Sequence, residues 1–185
     1  MQTAPDSTAF EYLLFIDRKC VEQQGGLAQQ SPDASHAHGL ALYLGPHQYI
    51  IPITDIDEIV ALSDFTSIPR TPRWLKGIAN VRGNLITLLD LHDYIFGSTS
   101  KAEACSKRTL VVKQESHYYG LVIDSIIGMK SFHQDQGSDQ VPKGFDSDYL
   151  DYISAFYFLG EKWFAALSIN KLLLDERFRK SASRA

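Results

Sequence analysis

Apolar positions along this chain keep two different periods, and the change between them falls after a polar stretch early in the sequence. Over residues 8–24, Phe10, Leu13, Leu14 and Val21 recur at helical spacing, which predicts a helix with one apolar face. Thr8-Ala9-Phe10-Glu11 fits a capping box, in which each polar side chain satisfies a free backbone N–H of the first turn, and Gly25-Gly26 supplies the stop. Leu27 to His38 is polar and carries Pro32, two serines and three alanines, so it reads as a linker.

From Gly39 the period shortens to that of strands. Leu40 to Leu44, a turn at Gly45-Pro46, and Gln48 to Ile53 form a predicted β-hairpin. Thr54 to Val60 opens with capping residues and reads as a short helical turn or bend. Ile78 to Val81 and Leu85 to Leu91 are two further strands. They are joined by Arg82-Gly83-Asn84, where the glycine accepts the positive φ that tight hairpins need. Ser98 to Ser106 is a polar connector. Asn170 is placed to cap a last helix over Lys171 to Lys180, with Leu174 and Phe178 one turn apart.

The second half of this β region repeats the first. His47-Gln48-Tyr49 aligns with His117-Tyr118-Tyr119, and Tyr49, Ile53 and Ile56 align with Tyr119, Ile123 and Ile126, at a constant offset of 70. Ile68-Pro69 answers Val141-Pro142, and Leu91 answers Ile169. A small β unit buries little area by itself, so two copies are expected to pack lobe against lobe and leave a seam. The predicted organisation is therefore an N-terminal helix and linker over residues 1–38, a mostly β domain over 39–178 with lobes at 39–98 and 107–178, and a tail at 179–185.

Composition narrows the function classes. With 185 residues, 44% of them hydrophobic, the chain can bury one core or two small ones. A net charge of −4 offers no general attraction to nucleic acid or anionic lipid. Before Arg18 the chain holds Asp6 and Glu11 and no base, the wrong polarity for a signal or transit peptide. No apolar run has the length to span a bilayer. Cys20 and Cys105 are far apart and outside any CxxC spacing, which reads as two free thiols in a reducing cytoplasm.

Chemistry-bearing motifs are missing. GxGxxG, GxxxxGK[ST] and GxSxG do not occur, and two cysteines cannot build a common zinc spacing. His36 and His38 have the donor atoms for a metal but sit in the expected linker with no partner nearby in sequence, so they read as solvated loop histidines. Asp55/Asp57 and Asp146/Asp148 read as a helix start and a loop rather than acid–base pairs. Asp90, in Leu88-Leu89-Asp90-Leu91, resembles a receiver phospho-acceptor strand, but the alternating long helices of a receiver are absent. No catalytic, cofactor or metal residue is expected.

Charge is clustered. Residues 20–69 contain no Lys or Arg, whereas 70–82 supply Arg70, Arg73, Lys76 and Arg82 without an acid among them. Such a block suits steering toward an acidic partner surface, or is simply a solvated loop. Trp74 in its middle fits either an interface hot spot or a core plug.

The stretch Ile68-Pro69-Arg70-Thr71-Pro72-Arg73-Trp74-Leu75-Lys76-Gly77-Ile78-Ala79-Asn80-Val81-Arg82-Gly83-Asn84-Leu85-Ile86-Thr87-Leu88-Leu89-Asp90-Leu91 closely resembles the signature of CheW-like domains. That signature is a proline-containing approach, a "G-x-x-N-x-R-G" hairpin and an apolar strand closing in Asp-Leu. Tyr49-Ile50-Ile51-Pro52-Ile53 with Asp57-Glu58-Ile59-Val60, and Gly120-Leu121-Val122-Ile123-Asp124, are similar to its flanking strands. The resemblance covers about residues 39–178. It implies two packed five-stranded β-barrels with an apolar groove between them. The implied activity is that of a non-catalytic adaptor that binds the regulatory domain of a CheA-type histidine kinase and the cytoplasmic tip of a methyl-accepting chemoreceptor. The helix before the domain resembles the branch serving type IV pilus twitching motility, the PilI-like proteins. On this reading the chain is cytoplasmic, recruited to membrane-bound receptor arrays, and binds partners through Arg82, Gly83, Asn80, Val81, Trp74, Lys76 and Glu58. Arg82 has two readings, a guanidinium offered to a partner or an internal pair with Glu58. The competing function is an OB-like barrel on single-stranded nucleic acid, against which the acidic charge counts.

Overall fold

The computed structural model describes residues 36–62, 64–103, 106–145 and 147–178. The helix expected over 8–24 and the tail at 179–185 lie outside the described residues. Among the described residues ten strands follow one another: β1 His36–Leu44, β2 His47–Pro52, β3 Glu58–Val60, β4 Leu75–Val81, β5 Asn84–Asp90, β6 Arg108–Gln114, β7 His117–Ile123, β8 Ser125–His133, β9 Ile153–Leu159 and β10 Lys162–Leu167. A short α-helix follows the β5 strand and another the β10 strand, α1 at Leu91–Phe96 and α2 at Ile169–Leu174. The mostly β architecture expected from the strand pattern is what forms.

The strands make two five-stranded sheets, ordered β8-β1-β2-β10-β9 and β3-β6-β7-β5-β4. The orders correspond position by position, with β2 and β7 at the centre of each. The repeat read at an offset of 70 aligns those two central strands, and Leu91 and Ile169 open the two helices. The lobes are not the contiguous segments 39–98 and 107–178, however. The β1–β2 hairpin belongs with β8, β9 and β10, while β3, β4 and β5 belong with β6 and β7. Each half of the chain thus contributes strands to both sheets, because the parallel pairings β2 with β10 and β5 with β7 cannot be made by a hairpin.

Each sheet curls over its own apolar filling. Ala41, Ile50, Phe132, Tyr157, Phe164 and Ala166 fill the first, and Ala79, Val81, Ile86, Leu88 and Val111 fill the second. Phe132 of β8 and Tyr157 of β9 come from opposite edges of the first sheet, yet their rings lie 4.6 Å apart. The largest cluster fills the seam between sheets and includes Leu40, Leu42, Tyr49, Ile51, Leu89, Leu110, Leu121 and Phe156. Alternation along β1 explains the division: Leu40, Leu42 and Leu44 face the seam and Ala41 faces the inside of its own sheet.

Three details differ from the sequence reading. The strand β1 starts at His36, so the last residues of the expected linker are already in a sheet. The bend over Thr54 to Val60 resolves into a single 3-10 turn at Ile53–Asp55 and the short strand β3, which pairs with β6. The last helix is capped by Ser168 instead of Asn170, and it breaks at Asp175, which binds the Tyr152 hydroxyl, before residues 176–178 are helical again. Phe178 is then buried between Trp74 and Tyr119.

Candidate protein-docking site at the β4–β5 hairpin

Along β4 Leu75, Gly77, Ala79 and Val81 are buried, Lys76 and Ile78 are half-buried and Asn80 is exposed, with a register irregularity between Leu75 and Gly77. Gly77 is required by close approach: a Cβ there would lie 2.0 Å from the Thr66 carbonyl oxygen, and its φ is +146°. The turn that follows has only two residues, Arg82 at φ 51° and Gly83 at φ 90°. Positive φ at both is the hairpin geometry that matches strand twist. Asn80 Oδ1 accepts the Gly83 N–H at 2.8 Å and pins the tip.

From this tip the Arg82 guanidinium reaches Glu58 Oε1 at 2.8 Å, with Arg82 61% exposed and Glu58 18% exposed. The pair forms as the second reading of Arg82 anticipates, and the outward half of the guanidinium still faces solvent. Beside it Leu85 is 72% exposed, and on the neighbouring strands Lys113 lies over the Tyr118 ring at 5.4 Å. The tip therefore offers an apolar side chain between polar and cationic groups.

Other members of the expected binding set take structural places. Val81 is buried in the filling of its own sheet. Trp74 is half-buried and packs against the seam, edge-on to Tyr94 at 4.9 Å and stacked toward Phe178 at 6.4 Å. Lys76 lies 3.3 Å from the buried carboxylate of Asp90, which Lys107 also approaches at 3.8 Å. Arg73 forks onto Asp93 at 2.8 and 2.7 Å and adds a bond to the Gly97 carbonyl. Three of the four bases in the 70–82 block thus meet this chain's own acids, and the continuous cationic groove that a single-stranded nucleic acid needs does not form there.

A polar node escaped the sequence reading. Asp124, at the end of β7, accepts the Gly45 N–H at 2.8 Å, the His92 ring N–H at 2.9 Å and the Ser100 hydroxyl. Burial would raise its carboxyl, but the bonds from Ser100, Gly45 and His92 outweigh that and hold it below the usual carboxylate range. The node ties the β1–β2 turn of one sheet to the end of β7 in the other. Its only trace in sequence is an acid closing the apolar run Leu121-Val122-Ile123.

Residues 38–177 match the family described as the CheW-like domain. The chain is 30% identical to Protein PilI of Pseudomonas aeruginosa, over 73% of this chain and 75% of that protein. It is 33% identical to the chemotaxis protein CheW of Helicobacter pylori over 47% of this chain and 52% of that one. The crystal structure of the scaffolding protein TtCheW from Thermoanaerobacter tengcongensis superposes with a TM-score of 0.68 at 18% identity, covering 83% of this chain and 96% of that one, a likeness of fold. With the family pattern spanning the two-sheet domain, the chain belongs to the CheW-like domain family.

Proposed function

We propose that this chain is a non-catalytic adaptor that couples a methyl-accepting chemoreceptor to a CheA-type histidine kinase, in a pathway controlling type IV pili. The observation that carries the reading is the β4–β5 tip, where Asn80, Arg82 and Gly83 form a pinned turn beside exposed Leu85. A rigid tip lowers the ordering cost of binding, and an apolar side chain next to a half-exposed guanidinium is the composition of a protein-docking point. Similarity to PilI supports the pilus branch, and family membership supports the kinase and receptor as partners. Among the described residues no helix is long and apolar enough to cross a membrane.

Purified chain should retain a CheA-type kinase regulatory domain in a pulldown, and Leu85→Asp should abolish retention without changing the melting temperature. Absence of binding by the unaltered chain to both the kinase domain and a receptor cytoplasmic tip would refute the adaptor reading.

A further inference from the structure

Arg70 is the one base of the 70–82 block that the molecule leaves unused. Arg73, Lys76 and Arg82 meet Asp93, Asp90 and Glu58, whereas the exposed Arg70 has no such partner among the described residues. Its backbone is unusual as well, with φ at +64°. Among the described residues the other non-glycine positions with positive φ are Arg82, Glu115 and Glu161. They sit in the tight turns between β4 and β5, β6 and β7, and β9 and β10, where strand twist calls for that conformation. Arg70 lies in no hairpin. It takes the third place of the turn Ile68-Pro69-Arg70-Thr71, where proline in second place and positive φ in third make a turn that prefers glycine or asparagine. Strain kept at an exposed position, where glycine would relieve it, points to use of the side chain.

The turn is held in place from both sides. Thr71 Oγ donates to the Ile68 carbonyl at 2.8 Å, the Leu75 N–H donates to the Pro72 carbonyl at 2.9 Å, and Pro69 and Pro72 fix their own φ. Upstream, Thr66 exchanges backbone hydrogen bonds with Ile78 at 2.8 and 2.9 Å, which fastens the connection between β3 and β4 along the outer edge of β4. Next to Thr66, Phe65 is 48% exposed. The strand that carries Ile78 runs on to the Arg82 tip, so this loop and the tip share one edge of the second sheet. Given the adaptor reading, on which this rests, we propose that Phe65 to Pro72 is a second contact of the docking site. It binds a carboxylate-bearing, partly apolar surface of the kinase regulatory domain, with Arg70 as the residue that recognises the charge. A guanidinium carried on a pre-ordered turn loses little freedom when it forks onto a carboxylate, and arginine and aromatic side chains are enriched at interfaces. An unpaired base also draws an acidic surface in from a distance, whereas the bases beside it are neutralised by their own acids.

The test is the association rate of the full chain with a CheA-type kinase regulatory domain, measured from low to high salt. Arg70→Ala should slow association about threefold or more at low salt and flatten its salt dependence, because steering by a surface charge is screened. Arg70→Glu should slow it further, and Phe65→Ala should speed dissociation. Arg70→Gly should bind as poorly as Arg70→Ala yet melt no lower than the unaltered chain, since relief of the positive φ offsets glycine's added freedom when unfolded. Lys130→Ala removes an exposed base from β8 of the other sheet and should leave the rate unchanged. Circular dichroism checks that each variant folds. A folded Arg70→Glu that associates at the unaltered rate, or a Lys130→Ala that slows association as far as Arg70→Ala does, would overturn the contact and leave the adaptor reading standing. An unaltered chain that binds no kinase regulatory domain overturns the contact too, and the adaptor reading with it if the receptor tip is not bound either.

Discussion

Arg82, in the turn that ends one edge strand, and Glu58, on the opposite edge strand of the same five-stranded sheet, have side chains that meet at 2.8 Å. Glu58 opens the edge strand β3, and Arg82 turns the hairpin that carries the other edge strand, β4. Their contact closes the curl of the second sheet. In the first sheet the corresponding closure is apolar, through Phe132 and Tyr157. One lobe is thus closed from within and the other by a charge pair whose arginine is largely exposed.

Because Arg82 is mostly solvated, Arg82→Ala should cost no more than about 1 kcal/mol of stability. None of that loss is backbone strain, since arginine and alanine carry the same Cβ at this positive φ. Arg82→Gly removes the charge while relieving the strain and should melt within a few degrees of the unaltered chain. Both variants should lose kinase binding. A large fall in melting temperature for Arg82→Ala, restored by adding Glu58→Gln, would make the pair structural first.

Trp74 should behave in the opposite way. Truncation to alanine removes a ring wedged among Tyr94 and Phe178, and should cost about 3 kcal/mol. That corresponds to a fall of roughly 10 °C in melting temperature. The folded fraction should bind the kinase domain normally in a titration corrected for folding. Lost binding with unchanged stability would return Trp74 to the interface.

Asp124 gives a pH dependence whose sign is set by its lowered carboxyl. The unfolded chain, with a carboxyl near 3.8, takes up a proton before the folded chain does. The stabilisation is present in full above that value and is lost as pH falls through it toward the lower folded pKa. Asp124→Asn should therefore lower stability at neutral pH by about 1.5–3 kcal/mol, the worth of hydrogen bonds to a buried charged group. It should also flatten the acid limb of a melting-temperature profile below about pH 5. An unchanged acid limb would locate the titrating groups elsewhere, Asp175 with its lowered carboxyl being the next to alter.

Exchange of strands between the halves predicts how the chain can be cut. Fragments 1–103 and 104–185 each lack strands from both sheets, so neither can complete a curled sheet with a filled interior. Each alone should show no cooperative melt by circular dichroism, and mixing them should restore one. A cooperative melt from either fragment by itself would mean that contiguous lobes suffice.

Much of this architecture was legible in sequence because it rests on local rules. Short apolar runs marked β1, β2, β4 and β5, Arg82-Gly83 marked the hairpin, and a repeat at an offset of 70 marked two equivalent units. The pairing of Arg82 with Glu58 was nameable as one of two alternatives. What the sequence could not convey is which strands associate, because pairing between β2 and β10 or β5 and β7 joins residues far apart through packing rather than through a turn. That single tertiary fact interleaved the lobes. It also moved Trp74 and Val81 inward and turned a basic block toward Asp90, Asp93 and Glu58. His133 was brought beside His36 the same way, since contact across a sheet depends on register, and register is set by which apolar faces the whole chain can bury at once.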